Sequence, residues 1–241
     1  MMVLYFAVME GDSAVSAGKW RENWAEKVHT PDEMVHFVDA VGCCTGKPLL
    51  RYPDFPSQYE ALGEVSPGVP DTWFWKDDLH TEKRIYYTRV FGGQPGFLSY
   101  PLLPVLIATN GAVADELIFN GLLPPEAQQV YRAIEEYGPI STIDLKRMLT
   151  PDAKHSADRV LINLDRQFII TKVGITGRTL GTYSYIWDLV ERWVPEMLTA
   201  ADRLGRKQAE SVLREHLAAF GIPSDSSFYA KVLRLQKSKG I

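Results

Sequence analysis

The segment "EYGPISTIDLKRML" (Glu136–Leu149) ends one helical pattern and begins another within a few residues. Upstream of it, apolar residues recur at helical spacing from Pro125 to Tyr137. Gly138-Pro139 predicts the end of that helix, because glycine can take a left-handed conformation and proline lacks an amide donor. Ser141 is placed to cap a second short helix, Thr142–Leu149. So tight a break predicts two helices that meet at a steep angle.

A third helix and a β-hairpin are predicted directly downstream. Thr150-Pro151-Asp152 closes the second helix, and the third runs from about Ser156 to Gln167 with one apolar face. The period then changes, since Phe168–Ile175 is rich in β-branched residues and Thr182–Trp187 forms a second strand after a turn with two glycines. Three short helices followed by a hairpin are the order of a winged helix, and we predict that fold here.

The outer side of the third helix carries the predicted binding residues. A rotation of about 100° per residue places Arg159, Asn163 and Arg166 opposite the apolar face. Side chains of these types read base edges and hold phosphates in nucleic-acid complexes. Lys172 on the first strand of the hairpin and Arg178 at its tip are predicted to reach the flanking backbone or minor groove.

Double-stranded DNA is therefore the predicted partner, and a winged helix used for protein contact is the alternative. Residues 126–178 carry eight Lys and Arg against seven acids, which is a small excess for a DNA footprint. The whole chain has a formal charge of -4, which argues against a globally basic nucleic-acid coat protein. The C-terminal part is the most basic. It is predicted to lie along the DNA backbone, to close the exposed core of the winged helix as a docking arm, or to build a homodimer.

The composition predicts a division of the chain into four parts. These are residues 1–29 as an N-terminal extension, 30–121 as a helical, loop-rich domain, 122–194 as a winged helix and 195–241 as a helical tail. Within the second part, Thr30-Pro31-Asp32-Glu33 is a capping box with proline at the first helical position, and further helices are predicted over Glu82–Phe91 and within Ser99–Gly111. The predicted fold class is α+β and mostly helical, with tandem winged-helix-like domains and a C-terminal helical tail.

The ends of the chain and its cysteines help to predict the cellular compartment. The apolar start, Met1–Met9, is far short of the roughly 20 residues that span a bilayer and lacks a basic leader, so we interpret it as a buried strand or as a few residues added by a misplaced start. A last helix is predicted over Ser227–Leu235. The two adjacent cysteines, Cys43 and Cys44, are too few for a secreted disulfide scaffold. We expect a cytoplasmic protein with no membrane partner.

Three stretches of the chain resemble a known family. They are "TWFWKDDLHTEKRIYYTRVFGGQPGFLSYPLLPVL" (Thr72–Leu106), "ADRVLINLDRQFIITKVGI" (Ala157–Ile175) and "YSYIWDLVERWVPE" (Tyr183–Glu196). The chain resembles, over roughly Thr30–Pro195, the AlkZ-related winged-helix proteins, relatives of the AlkZ/YcaQ DNA glycosylases. The resemblance implies tandem winged helices with a concave DNA-binding surface and a link to DNA repair.

The same resemblance leaves the chemistry open. The glycosylases of this family position water against a flipped base with a Gln-x-Gln or Gln-x-Asp motif, and neither motif occurs in this sequence. Asp77 and Asp78, beside the aromatic run Trp73–Trp75, are weak candidates for a substitute carboxylate in a glycosylase of altered motif. The simpler interpretation is that the aromatics anchor a core while Lys76, Asp77 and Asp78 form the solvated start of a helix. Enzymatic activity is therefore an open alternative.

Neither a metal nor a cofactor is predicted. His29, His36, Cys43 and Cys44 lack the paired spacing of a zinc site. The lysine of Gly46-Lys47-Pro48 has no glycine-rich lead-in and no following Ser or Thr, which excludes a phosphate-binding loop of the P-loop type.

Overall fold

The computed structural model describes residues 19–63, 72–91, 93–223 and 228–229. Over those ranges the chain is mostly helical, with two small antiparallel sheets of three strands each, as the predicted α+β class requires. None of the helices in these ranges is long and apolar enough to span a bilayer. The predicted strand Met1–Met9 and, apart from Phe228 and Tyr229, the predicted last helix Ser227–Leu235 lie outside the described residues.

The first half builds one sheet and the helices around it. In chain order its elements are α1 (Lys19–Trp24), α2 (Pro31–Val41), β1 (Cys43–Thr45), α3 (Gln58–Leu62), α4 (Thr72–Thr81), β2 (Tyr86–Thr88), β3 (Gly96–Leu98) and α5 (Leu103–Asn110). The predicted capping box is confirmed, because the Glu33 amide donates to the Thr30 hydroxyl while the Glu33 carboxylate accepts from the Thr30 amide. The helix within Ser99–Gly111 is also confirmed, as α5.

The predicted helix Glu82–Phe91 is wrong. Lys83 takes a left-handed conformation with φ of 57°, which turns the chain after α4. Tyr86–Thr88 then pairs as β2 with β3, with Tyr87 opposite Phe97. Aromatic and β-branched side chains fit a pleated, half-buried surface, and that preference decides the conformation of this segment.

The second half builds the other sheet and continues into the tail. Its elements are α6 (Ala114–Phe119), α7 (Pro125–Tyr137), β4 (Ile140–Ser141), α8 (Thr142–Met148), α9 (Pro151–Asp165), β5 (Ile170–Ile175), β6 (Tyr185–Leu189), α10 (Val190–Trp193), α11 (Pro195–Leu204) and α12 (Arg206–Ala218). The Ser141 hydroxyl accepts from the Asp144 amide at 3.1 Å, which confirms the predicted cap of the second helix. The third helix starts at Pro151, five residues before the predicted start at Ser156. Pro151 both closes the preceding helix and occupies the first turn of this one.

Gly138 ends α7 as predicted, but for a different physical reason. Its φ is -69°, so it is not left-handed. A Cβ atom at this position would lie 2.5 Å from the Ile134 carbonyl oxygen and 2.9 Å from an Asp188 carboxylate oxygen. Glycine is therefore needed because the end of α7 approaches its neighbours too closely for any side chain.

The two sheets share one topology. The first has the order β1-β3-β2 and the second the order β4-β6-β5, with every pair antiparallel. In each case the chain runs helix, strand, two helices and two strands, and the last strand lies in the middle. We call residues 30–110 the first unit and residues 114–189 the second unit.

Each unit has its own hydrophobic core, and the tail joins the first. Helices α11 and α12 pack against α5, and Leu213, Leu217 and Phe220 lie in the first core. The tail therefore closes the core of the first unit. The docking-arm alternative had instead placed it on the winged helix of residues 122–194. Ala114 and Leu117 of α6 pack in the second core, although the sequence division placed them in the first domain.

Candidate functional site

The two units meet at a polar junction centred on Asp165. This residue ends α9 and is fully buried. One carboxylate oxygen accepts from the Lys172 ammonium at 2.8 Å. The other accepts from the Arg89 amide at 3.3 Å and from the Thr88 hydroxyl at 3.4 Å. One carboxylate thus binds a lysine of its own unit and the end of strand β2 of the other.

Lys172 lies inside the junction. Its side chain is 4% exposed, and its ammonium lies 4.8 Å from the ring centroid of Tyr87 and 5.0 Å from that of Trp187. Burial lowers the pKa of this amine, and the Asp165 carboxylate opposes that shift. The predicted contact of Lys172 with the DNA backbone does not fit this placement, because the ammonium is already bound below the surface. The inward orientation of Lys172 could have been inferred from the sequence, because side chains alternate along a strand and Lys172 shares a face with buried Ile170.

His80 connects α4 to the backbone of the hairpin. Its Nδ1 accepts from the Tyr87 amide at 3.0 Å, so Nε2 carries the proton and donates to the Lys172 carbonyl at 2.6 Å. Burial, together with the nearby Lys172 cation, lowers the pKa of His80 to about 3. The imidazole is therefore neutral at physiological pH and holds a single tautomer.

A second polar cluster lies beside the first, on α4. The Asp77 carboxylate accepts from the Lys76 ammonium at 2.7 Å and from the Tyr183 hydroxyl at 3.0 Å, and Lys76 also donates to Tyr183 at 2.9 Å. Burial raises the pKa of Asp77 and lowers that of Lys76, while their ion pair acts against both shifts. Lys76 and Asp77 are thus buried in the middle of a helix, and the interpretation of them as its solvated start is wrong.

The tip of the hairpin is tied to the same helix. A guanidinium nitrogen of Arg178 donates to an Asp78 carboxylate oxygen at 2.5 Å, and the group lies 4.9 Å from the ring centroid of Phe74. The Arg178 side chain is nevertheless 55% exposed. Asp78 therefore serves here as the partner of a surface arginine, beneath the hairpin.

A cavity of about 150 Å³ opens next to Asp165 and Lys172. It lies between α9, the start of α8 and strand β6, and Arg89 reaches it from the first unit. The Trp187 indole donates to the Thr142 hydroxyl at 2.8 Å, and this hydrogen bond fixes one wall. Aromatic and aliphatic walls with an ammonium and a carboxylate among them form the kind of pocket that takes a small ligand.

The predicted DNA-contacting residues lie on the same helix as one wall of this cavity. Arg159 is exposed, and Asn163 and Arg166 are partly buried, at positions i, i+4 and i+7 of one side of α9 and its C-terminal cap. The cavity is lined by Asp158, Ile162 and Asp165, each one position earlier. Asp158 is paired with Lys146 at 2.7 Å. The junction thus brings the cavity next to the predicted outer side of α9.

Several residues of this site were not predicted from the sequence. Arg89, His80 and Thr142 stand in unremarkable local patterns, and their partners are distant along the chain. Asp165 did leave a signal, since it follows Ala157 and Leu161 at four-residue intervals and so shares their buried stripe. A carboxylate at such a position indicates a buried partner.

In the described ranges, no group of three or more His, Cys, Asp or Glu side chains could hold a metal ion. Cys43 and Cys44 are both buried in β1, and burial raises the pKa of both thiols. Neither is in the protonation state that binds metals.

Comparison with known proteins identifies a family. A family model described as AlkZ related matches residues 28–234, which is most of the chain. No curated protein and no solved structure matches the chain.

Proposed function

The chain belongs to the AlkZ-related family, and from this premise we propose that it is a double-stranded-DNA-binding protein of DNA repair, built from two winged helices. The family is related to proteins of DNA repair, and the proposal extends that link to direct contact between this chain and a duplex.

The topology of the two units supports the winged-helix part of the proposal. Each unit has a helix, a short strand, two helices and a hairpin, and the second hairpin strand pairs with the first short strand. This is the connectivity of a helix-turn-helix with an added β-hairpin, in which the third helix enters the major groove. Helix α9 holds the third position in the second unit.

The placement of α9 is the observation that carries DNA binding. Its inner side packs on α7 and β5. Arg159, Asn163 and Arg166 follow its other side at one-turn intervals. Arginine pairs with guanine and asparagine with adenine in the major groove, and both also hold phosphates. The Asp158 carboxylate at the edge of this side is neutralised by Lys146.

Arg178 is the proposed backbone contact. It lies at the hairpin tip, where a winged helix meets the flanking phosphates, and more than half of its side chain is exposed. Its exposed pair with Asp78 costs little to exchange for a phosphate, because such surface pairs contribute about 0.2–1 kcal/mol. Lys172 is buried and makes no phosphate contact in this proposal.

The test is a salt titration of binding to a short fluorescently labelled duplex, followed by anisotropy. The expected result is measurable affinity at low salt and a steep loss as salt is added. Arg159→Ala is expected to weaken binding by about 5- to 140-fold, the effect of losing a base contact of about 1–3 kcal/mol. Arg178→Ala is expected to weaken binding evenly across sequences and to reduce the slope of log K against log salt by about 0.9.

Lys19→Ala provides the matched control. It removes one exposed cation from α1, outside the proposed contact, and is expected to leave the affinity close to that of the unmodified protein. An unmodified protein with no affinity at low salt, or with salt-independent affinity, would reject the proposal. So would an Arg159→Ala variant that binds as tightly as Lys19→Ala.

A further inference from the structure

We propose that Lys172 is an amine nucleophile, which forms an imine with the aldehyde of an abasic deoxyribose and thereby cleaves the DNA strand on the 3′ side of that sugar. This activity rests on the proposed DNA binding. The reacting groups are a lysine and a carboxylate at the junction. They differ from the water that the related glycosylases position with glutamines.

The cavity gives a substrate access to Lys172. Its volume of about 150 Å³ is roughly ten times the 10–15 Å³ that one water needs, so a small organic group can enter. Asp158, Ile162 and Asp165 line it, while Arg159, Asn163 and Arg166 stand one position further around the same helix. Neighbouring positions of a helix lie about 100° apart, so a nucleotide of a duplex held by the outer side of α9 reaches the cavity when it is turned out of the stack.

The surroundings of Lys172 favour an amine that can give up its proton. The Lys172 side chain is nearly excluded from water, and its ammonium lies 4.8 to 5.7 Å from the ring centroids of Tyr87, Tyr185 and Trp187. The Asp165 oxygen lies 2.8 Å away and is placed to accept the ammonium proton when the amine attacks. A desolvated lysine of this kind is the usual form of an imine-forming nucleophile.

The cavity also selects the substrate class. An intact nucleoside has no carbonyl at C1′ and brings a bulky base, whereas an abasic site equilibrates with an open-chain aldehyde of five carbons. The aldehyde is the electrophile that an amine requires, and the missing base leaves the sugar small enough for the space beside Trp187 and Thr142. The inferred ligand is therefore an abasic site in a duplex.

The reaction balances with water as the only co-reactant. The neutral Lys172 amine adds to C1′, the resulting hydroxyl takes the proton of Asp165, and water leaves to give a protonated imine. The Asp165 carboxylate then removes a proton from C2′, the C3′–O bond breaks, and the 3′ phosphate departs with the bonding electron pair. Hydrolysis of the imine releases an unsaturated aldehyde and restores the lysine. No atom is oxidised or reduced overall.

Reductive trapping tests this assignment. The full-length protein is incubated with an abasic duplex, prepared from a uracil-containing one, in the presence of cyanoborohydride, which reduces the imine to a stable secondary amine. The expected product is a covalent protein–DNA adduct on a denaturing gel. Tryptic mapping should place the adduct on Lys172, with cleavage at this residue blocked so that residues 167–178 remain one peptide.

Two variants sharpen the test. Lys172→Arg keeps a cation beside Asp165 but cannot form an imine, so trapping should fall to background. Lys76→Arg alters the buried lysine of the second polar cluster, which is paired with Asp77 and does not line the cavity, and it should trap like the unmodified protein. An adduct that maps to another amine, or that persists in Lys172→Arg, would overturn the assignment.

Binding measured on the same abasic duplex separates the two proposals. Tight, salt-sensitive binding without an adduct in the unmodified protein rejects the imine chemistry and leaves DNA binding standing. Absence of both binding and adduct rejects the two together. Peptide mapping needs no variant, so the assignment stays testable even where a substitution at Lys172 impairs folding.

Discussion

At the scale of single residues, the stability of the junction depends on the Asp165 carboxylate. It is fully buried, and the only cation within ion-pair distance among the described residues is Lys172. A buried ion pair contributes little net stability because desolvation offsets the attraction, but loss of one partner leaves an uncompensated charge. The two residues are therefore expected to be strongly coupled.

We predict that Lys172→Met lowers the free energy of unfolding by about 3–5 kcal/mol, because it leaves Asp165 buried without a cation. Adding Asp165→Asn should recover at least about 1 kcal/mol of this loss, since the amide oxygen still accepts from Arg89 and Thr88 and carries no charge. Urea unfolding of the two single variants and the double variant measures this coupling.

The control for this cycle is an exposed ion pair. Arg147→Met breaks the contact with Asp144 on the surface of α8 and should change the stability by less than about 1 kcal/mol. Effects of Lys172→Met and Asp165→Asn that simply add would contradict the coupling.

At the scale of elements, the end of α7 depends on a glycine. We predict that Gly138→Ala destabilises the protein by about 1–3 kcal/mol, because the new methyl group would press on the Ile134 carbonyl and on Asp188, and backbone cannot move aside as a flexible side chain can. The measurement is the urea midpoint at constant m-value.

Gly181→Ala is the matched substitution. Nothing lies within 4 Å of a Cβ atom there, so we expect a change within about 0.5 kcal/mol. Equal effects of the two substitutions would show that loss of glycine flexibility, and not close approach, is what matters at Gly138.

The elements themselves were largely predictable, because their signals are local. The capping box of α2, the serine cap of α8 and the change of period into the hairpin each occupy a few neighbouring residues, and each was confirmed. The segment Glu82–Phe91 failed because a charged start that favours a helix is followed by an aromatic run that favours a strand. Pairing with β3, ten residues further on, decides between them.

The candidate site was far less predictable, for a physical reason. Arg89 donates to a carboxylate 76 positions away, and His80 donates to a carbonyl 92 positions away. Such partners come together only through packing of the two units, and no periodicity within either segment encodes them. The inward positions of Lys172 and Asp165 were encoded, but the interpretation that assigned Lys172 to the DNA backbone passed over them.

At the scale of the whole molecule, two buried histidines make the stability of the fold sensitive to acid. His80 bridges α4 and the hairpin, and the Lys172 cation and the Thr171 hydroxyl face it from β5. His216 of α12 is also buried, and burial lowers its pKa to about 4. Both imidazoles are held neutral by the fold, whereas the unfolded chain takes up protons near pH 6.5.

The sign of the pH dependence follows from this difference. Between pH 6.5 and the folded pKa values of about 3 and about 4, the unfolded state binds more protons, so stability falls as the pH falls. At pH 5 we expect each buried histidine to have lost about 2 kcal/mol of its contribution to stability.

His80→Gln should therefore reduce the loss of stability between pH 7 and pH 5 by about 2 kcal/mol, whatever its effect at pH 7. Urea midpoints measured at both pH values give the slope. A His80→Gln curve parallel to that of the unmodified protein would contradict the neutral, buried state of His80.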